Sequence, residues 1–143
     1  MRVARTWPLS VCRGTITTTI AAVSYRLEMV NEVRDWLHQL RRDDRASAIL
    51  VGQAITALLD EGPALGRPLV DRIKGSTVHN LKELRPGSTG TSEIRILFVF
   101  DPERNAVLLV SGDKAGNWKS WYRAAIPTAE YRYEMYLKEK ERS

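Results

Sequence analysis

The side chains best suited to chemistry are cations that cluster in and around the stretch between Leu81 and Trp118. These cations are Lys82, Arg85, Arg95, Lys114 and Lys119. The planar fork of an arginine donates two parallel hydrogen bonds to phosphate oxygens, and a lysine supplies a compact charge. No metal-ligand spacing, phosphate-binding glycine loop or Ser/His/Asp arrangement lies nearby. The stretch therefore predicts a surface that binds and polarises a phosphate.

Arg95 interrupts the most regular pattern in the chain, an apolar alternation over residues 93–100. One face of this predicted strand carries Ile94, Ile96, Phe98 and Phe100. The two-residue period directs Arg95 to the opposite face. A guanidinium in mid-strand must be paired or solvated. Two interpretations stay open, a phosphate clamp and a salt bridge to Glu83 or to an acid of the C-terminal helix.

The other cations have less certain positions. Lys82 and Arg85 are three residues apart, so simple alternation puts them on opposite strand faces and at most one shares the face of Arg95. Lys114 follows a predicted strand in the turn SGDKAGNW. Lys119 and Arg123 are four apart and share one helical face. For each of these side chains a solvated surface role remains the alternative.

Aromatic residues are dense near the C-terminus, as Trp118, Trp121, Tyr122, Tyr131, Tyr133 and Tyr136. Aromatic rings stack on unpaired RNA bases, although such rings also fill cores. Tyr133 and Tyr136 share a helical face with Leu137, which favours the core. Tyr122 and Tyr131 are better candidates for a functional hydroxyl. His79 is a weaker candidate for an acid or base, because it has no companion at ligand spacing.

Bulk composition indicates one globular domain with an acidic partner. The chain has 143 residues, 43% of them hydrophobic and 27% charged, and its net charge is +5; such values exclude a wholly disordered chain. The single cysteine, Cys12, permits no internal disulfide and fits a reducing, cytoplasmic compartment. No run is long and apolar enough to span a membrane. Residues 1–24 are basic and weakly hydrophobic, which predicts a flexible extension before a domain over 25–143.

Hydrophobic periodicity predicts an α+β fold. Helices are expected over Met29–Arg42 and from Arg45 to Asp60, packed as an antiparallel hairpin. Three antiparallel strands follow, near Val78–Leu84, Glu93–Phe100 and Val107–Val110, with a possible fourth near Val23–Leu27. The tail is predicted as a short helical turn over Asn117–Ala125, an interruption at Pro127 and a second helix from Thr128.

In this order of elements the chain resembles the RelE/ParE toxin superfamily of bacterial type II toxin–antitoxin modules, in its HigB-like or phage-derived RelE-like branch. The resemblance covers about Tyr25–Lys138. It is carried by EVRDWL, LKELR, EIRILFVF, VLLVSGDKAGNW and the closing helix after Pro127. It implies a small antiparallel sheet of three to four strands, with the helical hairpin on one face and the active surface on the other.

The resemblance also implies an activity, a metal-independent cleavage of mRNA on the ribosome that needs no cofactor. Arg95, Lys114 and Lys82 match basic positions of the superfamily, although GDKAGN has one lysine where relatives often have two. Tyr122 and Tyr131 would move protons. The RNA-binding set would be Arg85, Lys119, Arg123 and Trp118. The expected partners are mRNA, the ribosome and a cognate antitoxin of the helix-turn-helix type. A ParE-like inhibitor of DNA gyrase and a catalytically inactive antitoxin-binding protein are the alternatives.

Overall fold

The protein folds as a five-stranded sheet with three α-helices, in a computed structural model that describes residues 24–142. The elements are β1 (Leu27–Met29), α1 (Asn31–Asp43), α2 (Arg45–Glu61), β2 (Val70–Arg72), β3 (Lys82–Leu84), β4 (Ile94–Phe100), β5 (Ala106–Asp113) and α3 (Trp118–Arg142). The predicted α+β class and the helical hairpin are confirmed. The expectation of a flexible extension over 1–24 falls, except for Ser24, outside the described residues.

The sheet has one more strand than the highest expected number and is mixed rather than antiparallel. Its order is β1-β5-β4-β3-β2, and β1 pairs with β5 in parallel while the other neighbours are antiparallel. β2 has no counterpart among the expected strands, because it directly follows a segment with Gly62, Pro63, Gly66 and Pro68, residues typical of a loop. β3 is confined to three residues because the chain before it turns, with Leu81 N–H bonded to the carbonyl of Val78 at 3.0 Å.

The alternation along β4 divides the core into two layers, as the sequence predicts. Ile94, Ile96 and Phe98 pack with the hairpin, while Leu97 and Val99 pack on the opposite face. Fully burying an aliphatic or aromatic side chain stabilises a fold by about 1.5–3 kcal/mol. Both faces of β4 are therefore anchored, and its register cannot slip by one residue without exposing one layer.

The second face of the sheet is not bare, which corrects the expectation of an open active surface there. α3 lies across it, and Ala125 and Ala129 pack against Leu97, Val99 and Leu109. Small helical residues allow this close approach of helix and sheet. Only the part of the face beside the N-terminal turns of α3, where Arg95 lies, is left for polar chemistry.

α3 runs unbroken through Pro127, so the predicted interruption and the second helix start at Thr128 are wrong. Pro127 has no N–H to donate to the carbonyl of Arg123, and the hydroxyl of Thr128, which donates to the carbonyl of Ala124 at 2.8 Å, does not replace that bond. The buried residues Ala125 and Ala129 flank the proline and fix the helix to the sheet. Tertiary packing of one face thus outweighs the local cost of proline.

Candidate functional site

The polar end of the α3-covered face is built around Glu83, whose side chain is only 5% exposed. Glu83 lies in the middle of β3, and its strand neighbours on β2 and β4 are Asp71 and Leu97. Odd-numbered residues of β3 and β4 share this face, which brings Glu83, Arg85 and Arg95 together. A carboxylate buried to this degree requires positive partners and hydrogen bonds.

Three side chains surround this carboxylate. The hydroxyl of Tyr122 donates to Glu83 Oε1 at 2.5 Å. Arg95 Nε lies 3.8 Å from the same oxygen, and Arg85 Nη2 lies 3.4 Å from Oε2. These four residues, Glu83, Arg85, Arg95 and Tyr122, are called the Glu83 cluster below. The salt bridge between Arg95 and Glu83, one of the two interpretations drawn from the sequence, is therefore observed.

Further charges border the Glu83 cluster. Asp71 Oδ2 lies 3.6 Å from Arg85 Nη2. Lys114 Nζ lies 3.3 Å from Glu93 Oε1 and 5.7 Å from the centre of the Tyr122 ring. β4–β5 pairing explains the second contact, because it sets Arg95 opposite Gly112, two residues before Lys114. Lys114 therefore lies over the ring of Tyr122, while Arg95 contacts the carboxylate oxygen to which the Tyr122 hydroxyl donates.

Burial and Glu83 keep the Tyr122 hydroxyl protonated. Burial is the largest cause that raises the pKa of Tyr122, the hydrogen bond and negative charge of Glu83 add to it, and Arg95 opposes them. A neutral phenol at this position acts as a hydrogen-bond donor across the physiological range. Tyr122 therefore fixes the carboxylate between the two arginines.

The two arginines are incompletely satisfied. Arg95 Nη1 donates to the carbonyl of Ile94 at 2.8 Å, but Arg95 Nε and Arg85 Nε are buried and have no hydrogen-bond partner within residues 24–142. The Arg95 and Arg85 side chains are 16% and 31% exposed. Buried donors without an acceptor cost free energy. An anion that reached these guanidinium groups after a small side-chain rotation would recover part of that free energy by accepting their hydrogen bonds.

Other residues from the expected site lie elsewhere. Lys82 is on the hairpin side of the sheet, where Nζ lies 3.4 Å from the carbonyl of Pro63 and 5.9 Å from the Phe100 ring. Tyr131 is 62% exposed and lies nine residues beyond Tyr122, about 13 Å farther along α3. It lines an open cleft with His79, Glu130 and other residues. The structure thus separates Lys82 and Tyr131 from Arg95.

The first turns of α3 carry the remaining expected RNA contacts. Trp118 is 55% exposed, and its ring meets the Tyr122 ring edge-on at 6.5 Å. Lys119 Nζ lies 5.7 Å from the centre of the Trp118 ring. Arg123 is exposed one turn later. Tyr133 and Tyr136 pack partly buried against the core, as their spacing predicts.

Glu83 and Asp71 are the site residues that the sequence does not single out as functional. Glu83 is predictable only as a partner of Arg95, and Asp71 lies in a stretch that reads as a loop. One signal could have pointed to Glu83. It is a charged residue at the centre of LKELR, and its odd position in its strand puts it on the same sheet face as Arg95 of the neighbouring strand. Among the described residues no group of histidine, cysteine, aspartate and glutamate side chains has the geometry of a metal site. None of the described helices combines the length and apolar character needed to cross a membrane.

Comparison with known proteins identifies the family. The profile described as "Phage derived protein Gp49-like (DUF891)" matches residues 35–134. The chain is 53% identical over 109 residues to the Mycobacterium tuberculosis protein named "Putative toxin HigB3", an alignment covering 76% of this chain and 90% of that one. It is 50% identical over 108 residues to "Putative toxin HigB2" of the same organism, covering 76% of this chain and 52% of the relative. No solved structure matches. The chain belongs to the phage-derived Gp49-like family, in its HigB-like branch.

Proposed function

We propose that the protein is the toxin of a toxin–antitoxin pair and acts as a metal-independent endoribonuclease on mRNA, with the ribosome as the place of cleavage. The names of its relatives and its membership of the HigB-like branch support the toxin role. The observation that carries the nuclease role is the Glu83 cluster, in which two arginines flank a carboxylate and a neutral tyrosine. This set contains a cation pair for a phosphate, a base and a proton donor.

In the proposed reaction, a ribose 2′-oxygen attacks the adjacent phosphorus and the bond from phosphorus to the 5′-oxygen breaks. Glu83 accepts the 2′-hydroxyl proton, and Tyr122 delivers a proton to the departing 5′-oxygen. Arg95 and Lys114 stabilise the charge that grows on the phosphoryl oxygens. The products are a 2′,3′-cyclic phosphate and a 5′-hydroxyl. Proton transfer from Glu83 back to Tyr122, along their 2.5 Å hydrogen bond, resets the site.

RNA would reach this site along the first turns of α3. Arg85, Lys119 and Arg123 would contact phosphates there, and the exposed ring of Trp118 would stack on an unpaired base. Lys82 and Tyr131 have no part in the proposed site, because the first lies across the sheet and the second about 13 Å along the helix. No cofactor is required, and a cognate antitoxin of the helix-turn-helix type is the proposed protein partner.

One observation favours a second candidate, a catalytically inactive protein that only binds an antitoxin. Three of the proposed phosphate-binding cations, Arg85, Arg95 and Lys114, already have a carboxylate within 4 Å. Glu83 serves Arg85 and Arg95, and Glu93 serves Lys114. A cluster neutralised in this way can be purely structural. The two candidates differ in whether the wild-type protein cleaves RNA and in whether that cleavage depends on Arg95.

The test compares Arg95→Ala with Lys82→Ala, a cation of the neighbouring strand on the other face. Induction of the wild type is expected to arrest growth and to leave new 5′-hydroxyl ends in mRNA. Arg95→Ala should lower the cleavage rate about 100- to 1000-fold, the usual effect of losing one charge-stabilising donor. Lys82→Ala should cleave like the wild type. Circular dichroism of each purified variant verifies the fold.

Other results would redirect the proposal. Full toxicity of folded Arg95→Ala would make Arg95 structural and remove the nuclease mechanism. Growth arrest with a DNA-damage response and intact mRNA would identify a ParE-like inhibitor of gyrase. No arrest by the wild type, together with antitoxin binding, would establish the inactive binding protein.

A further inference from the structure

The outer edge of β5 is only partly covered. β1 pairs with Ala106–Leu108 and no farther, so within residues 24–142 the edge from Leu109 to Asp113 has no strand partner. Lys114 N–H bonds to the carbonyl of Glu93 on the β4 side. In an antiparallel strand the main-chain groups of successive residues point alternately to the two neighbouring sides. Because Lys114 faces β4, the N–H and C=O of Ser111 point away from β4, towards the open edge. Unpaired main-chain groups on an edge strand are a template for another strand.

A cleft of about 300 Å³ lies directly beside this edge. It is lined by Val110 and Ser111 of β5, by Trp36 of α1, and by Trp121 and Ala124 of α3. Volumes of this size hold a few side chains of a bound peptide. The lining of the cleft combines these apolar and aromatic side chains with the polar residues Glu32, Thr128 and Arg132.

Arg132 adds a cation to the same cleft. Its Nη1 donates to the carbonyl of Leu109 at 2.8 Å, and its Nη2 lies 3.9 Å from Glu32 Oε2. Glu32 is 63% exposed, so the ion pair is largely solvated and weak. A carboxylate from a partner can replace Glu32 at little cost. The net charge of +5 also favours an acidic partner.

We infer that this edge binds a short, extended, acidic segment of the cognate antitoxin, which adds to the sheet as a strand beside β5. The partner strand would pair with the outward groups of Ser111, insert an apolar side chain between Trp36 and Trp121, and present a carboxylate to Arg132. An extended segment fits better than a helix, because only another strand can satisfy the main-chain groups. The identity of the partner rests on the proposed toxin function.

Binding at this edge would also reach the Glu83 cluster. The Trp121 ring meets the Tyr122 ring edge-on at 5.1 Å, and Trp121 lies against the backbone of Gly112. A strand that fills the cleft would press on Trp121, the immediate neighbour of the tyrosine that holds Glu83. The antitoxin segment would thus act on the site from the side, without covering Arg95.

The experiment compares Ala124→Arg with Ser120→Arg, two exposed positions of α3 that gain the same side chain. Ala124 lines the cleft, whereas Ser120 is not among its lining residues. The probe is the purified product of the reading frame adjacent to the toxin gene, titrated calorimetrically against each full-length variant. Ala124→Arg should weaken binding roughly tenfold or more, which corresponds to about 1.4 kcal/mol. Ser120→Arg should bind like the wild type.

Amide hydrogen exchange supplies the second measurement. The Ser111 amide should exchange fast in the free protein and slowly in the complex, because strand addition buries this N–H. Equal affinity of both variants, no binding of the probe to the wild type, or an unchanged Ser111 amide in the complex would each overturn the inference. Slow exchange of Ser111 in the free protein would also overturn it, since the edge would then already be covered, for instance by a second copy.

Growth arrest tests the proposed toxin function separately from the binding experiment. Growth arrest by Ala124→Arg without the partner supports the toxin role whatever the binding result. Loss of binding by Ala124→Arg, combined with a wild type that arrests nothing, would refute the toxin role while the edge site stands.

Discussion

Glu83 is the residue on which the candidate site depends. A lone buried carboxylate is strongly unfavourable, and this one is tolerated because two guanidinium groups and a phenol surround it. The dependence is mutual, since both arginines lie on the same face of the sheet beside packed apolar side chains. Removing the charge of Glu83 would take away the carboxylate that pairs with Arg95, whereas Arg85 would keep its contact with Asp71.

Replacing Glu83 by glutamine is therefore expected to destabilise the fold. Breaking a buried ion pair costs about 3–5 kcal/mol. Arg85 is 31% exposed and can recover solvation, so we expect the free energy of unfolding to fall by about 2–4 kcal/mol. Urea denaturation followed by circular dichroism measures it.

The matched control is Glu93→Gln. Glu93 pairs with Lys114; the lysine is 15% exposed, but the glutamate is 51% exposed and solvent screens the pair, so we expect a loss of about 1 kcal/mol. Equal losses for the two variants would show that the Glu83 cluster behaves as a surface ion network, not as a buried one.

At the scale of elements, α3 determines what remains accessible on the sheet. Its buried alanines lie on the apolar half of the face, and its first turns lie on the polar half. α3 can dock in this position because residue 112 is a glycine. A Cβ added at Gly112 would come within 2.5 Å of Trp121 Nε1. The absence of a side chain at Gly112 lets the indole of Trp121 come close to the backbone of β5.

Gly112→Ala is expected to displace Trp121 and to destabilise the protein by about 1–3 kcal/mol, as overpacking usually does. Gly52→Ala provides the contrast, because an added Cβ in α2 meets nothing within 4 Å. That change should stabilise the protein by about 0.5–1 kcal/mol through helix propensity. Thermal unfolding of both variants tests the pair, and a neutral Gly112→Ala would mean that α3 is not held at this contact.

At the scale of the whole molecule, α3 is joined to the sheet near each end by a tyrosine bonded to a buried carboxylate. Tyr122 donates to Glu83 of β3, and Tyr136 donates to Asp101 after β4, at 2.7 Å. Burial first, and then the hydrogen bond to Asp101, raises the pKa of Tyr136 to about 12. The pKa of Tyr122 is raised for the corresponding reasons.

These raised values predict a loss of stability at alkaline pH. Unfolded tyrosines ionise near their ordinary pKa of 10.0, while the folded ones keep their protons to about pH 12 for Tyr136. The contribution of both tyrosines is thus complete below pH 10 and declines as the pH rises above 10, for Tyr136 until about pH 12 and for Tyr122 over a range that extends higher.

The Tyr122→Phe/Tyr136→Phe double variant should be less stable at pH 8, because two carboxylates lose a donor, but it should show a shallower decline above pH 10. Urea unfolding at intervals from pH 8 to about pH 11.5 measures both effects. A decline as steep as that of the wild type would place the alkaline transition in other groups.

Much of the architecture could be predicted from periodicity. The alternation over 93–100 assigned each side chain of β4 to its face, because the two-residue period leaves no freedom once one face is apolar. The same rule sent Arg95 away from the hairpin and limited Lys82 and Arg85 to opposite faces. The order of motifs was enough to indicate the RelE/ParE superfamily in its HigB-like or phage-derived branch. The comparisons then showed that the chain belongs to the Gp49-like family and is similar to HigB toxins.

Periodicity by itself determined which residues lie together on a face, and only the tertiary structure decided what covers that face. The docking of α3 depends on contacts between residues far apart in sequence, and it outweighs the local effect of Pro127. The same docking brings Tyr122 to Glu83 across 39 positions of the chain. Local patterns carry no record of such distances. The cations and a pairing of Arg95 with Glu83 were predictable, whereas only the fold decided between Glu83 and an acid of the C-terminal helix and brought Tyr122 to that carboxylate.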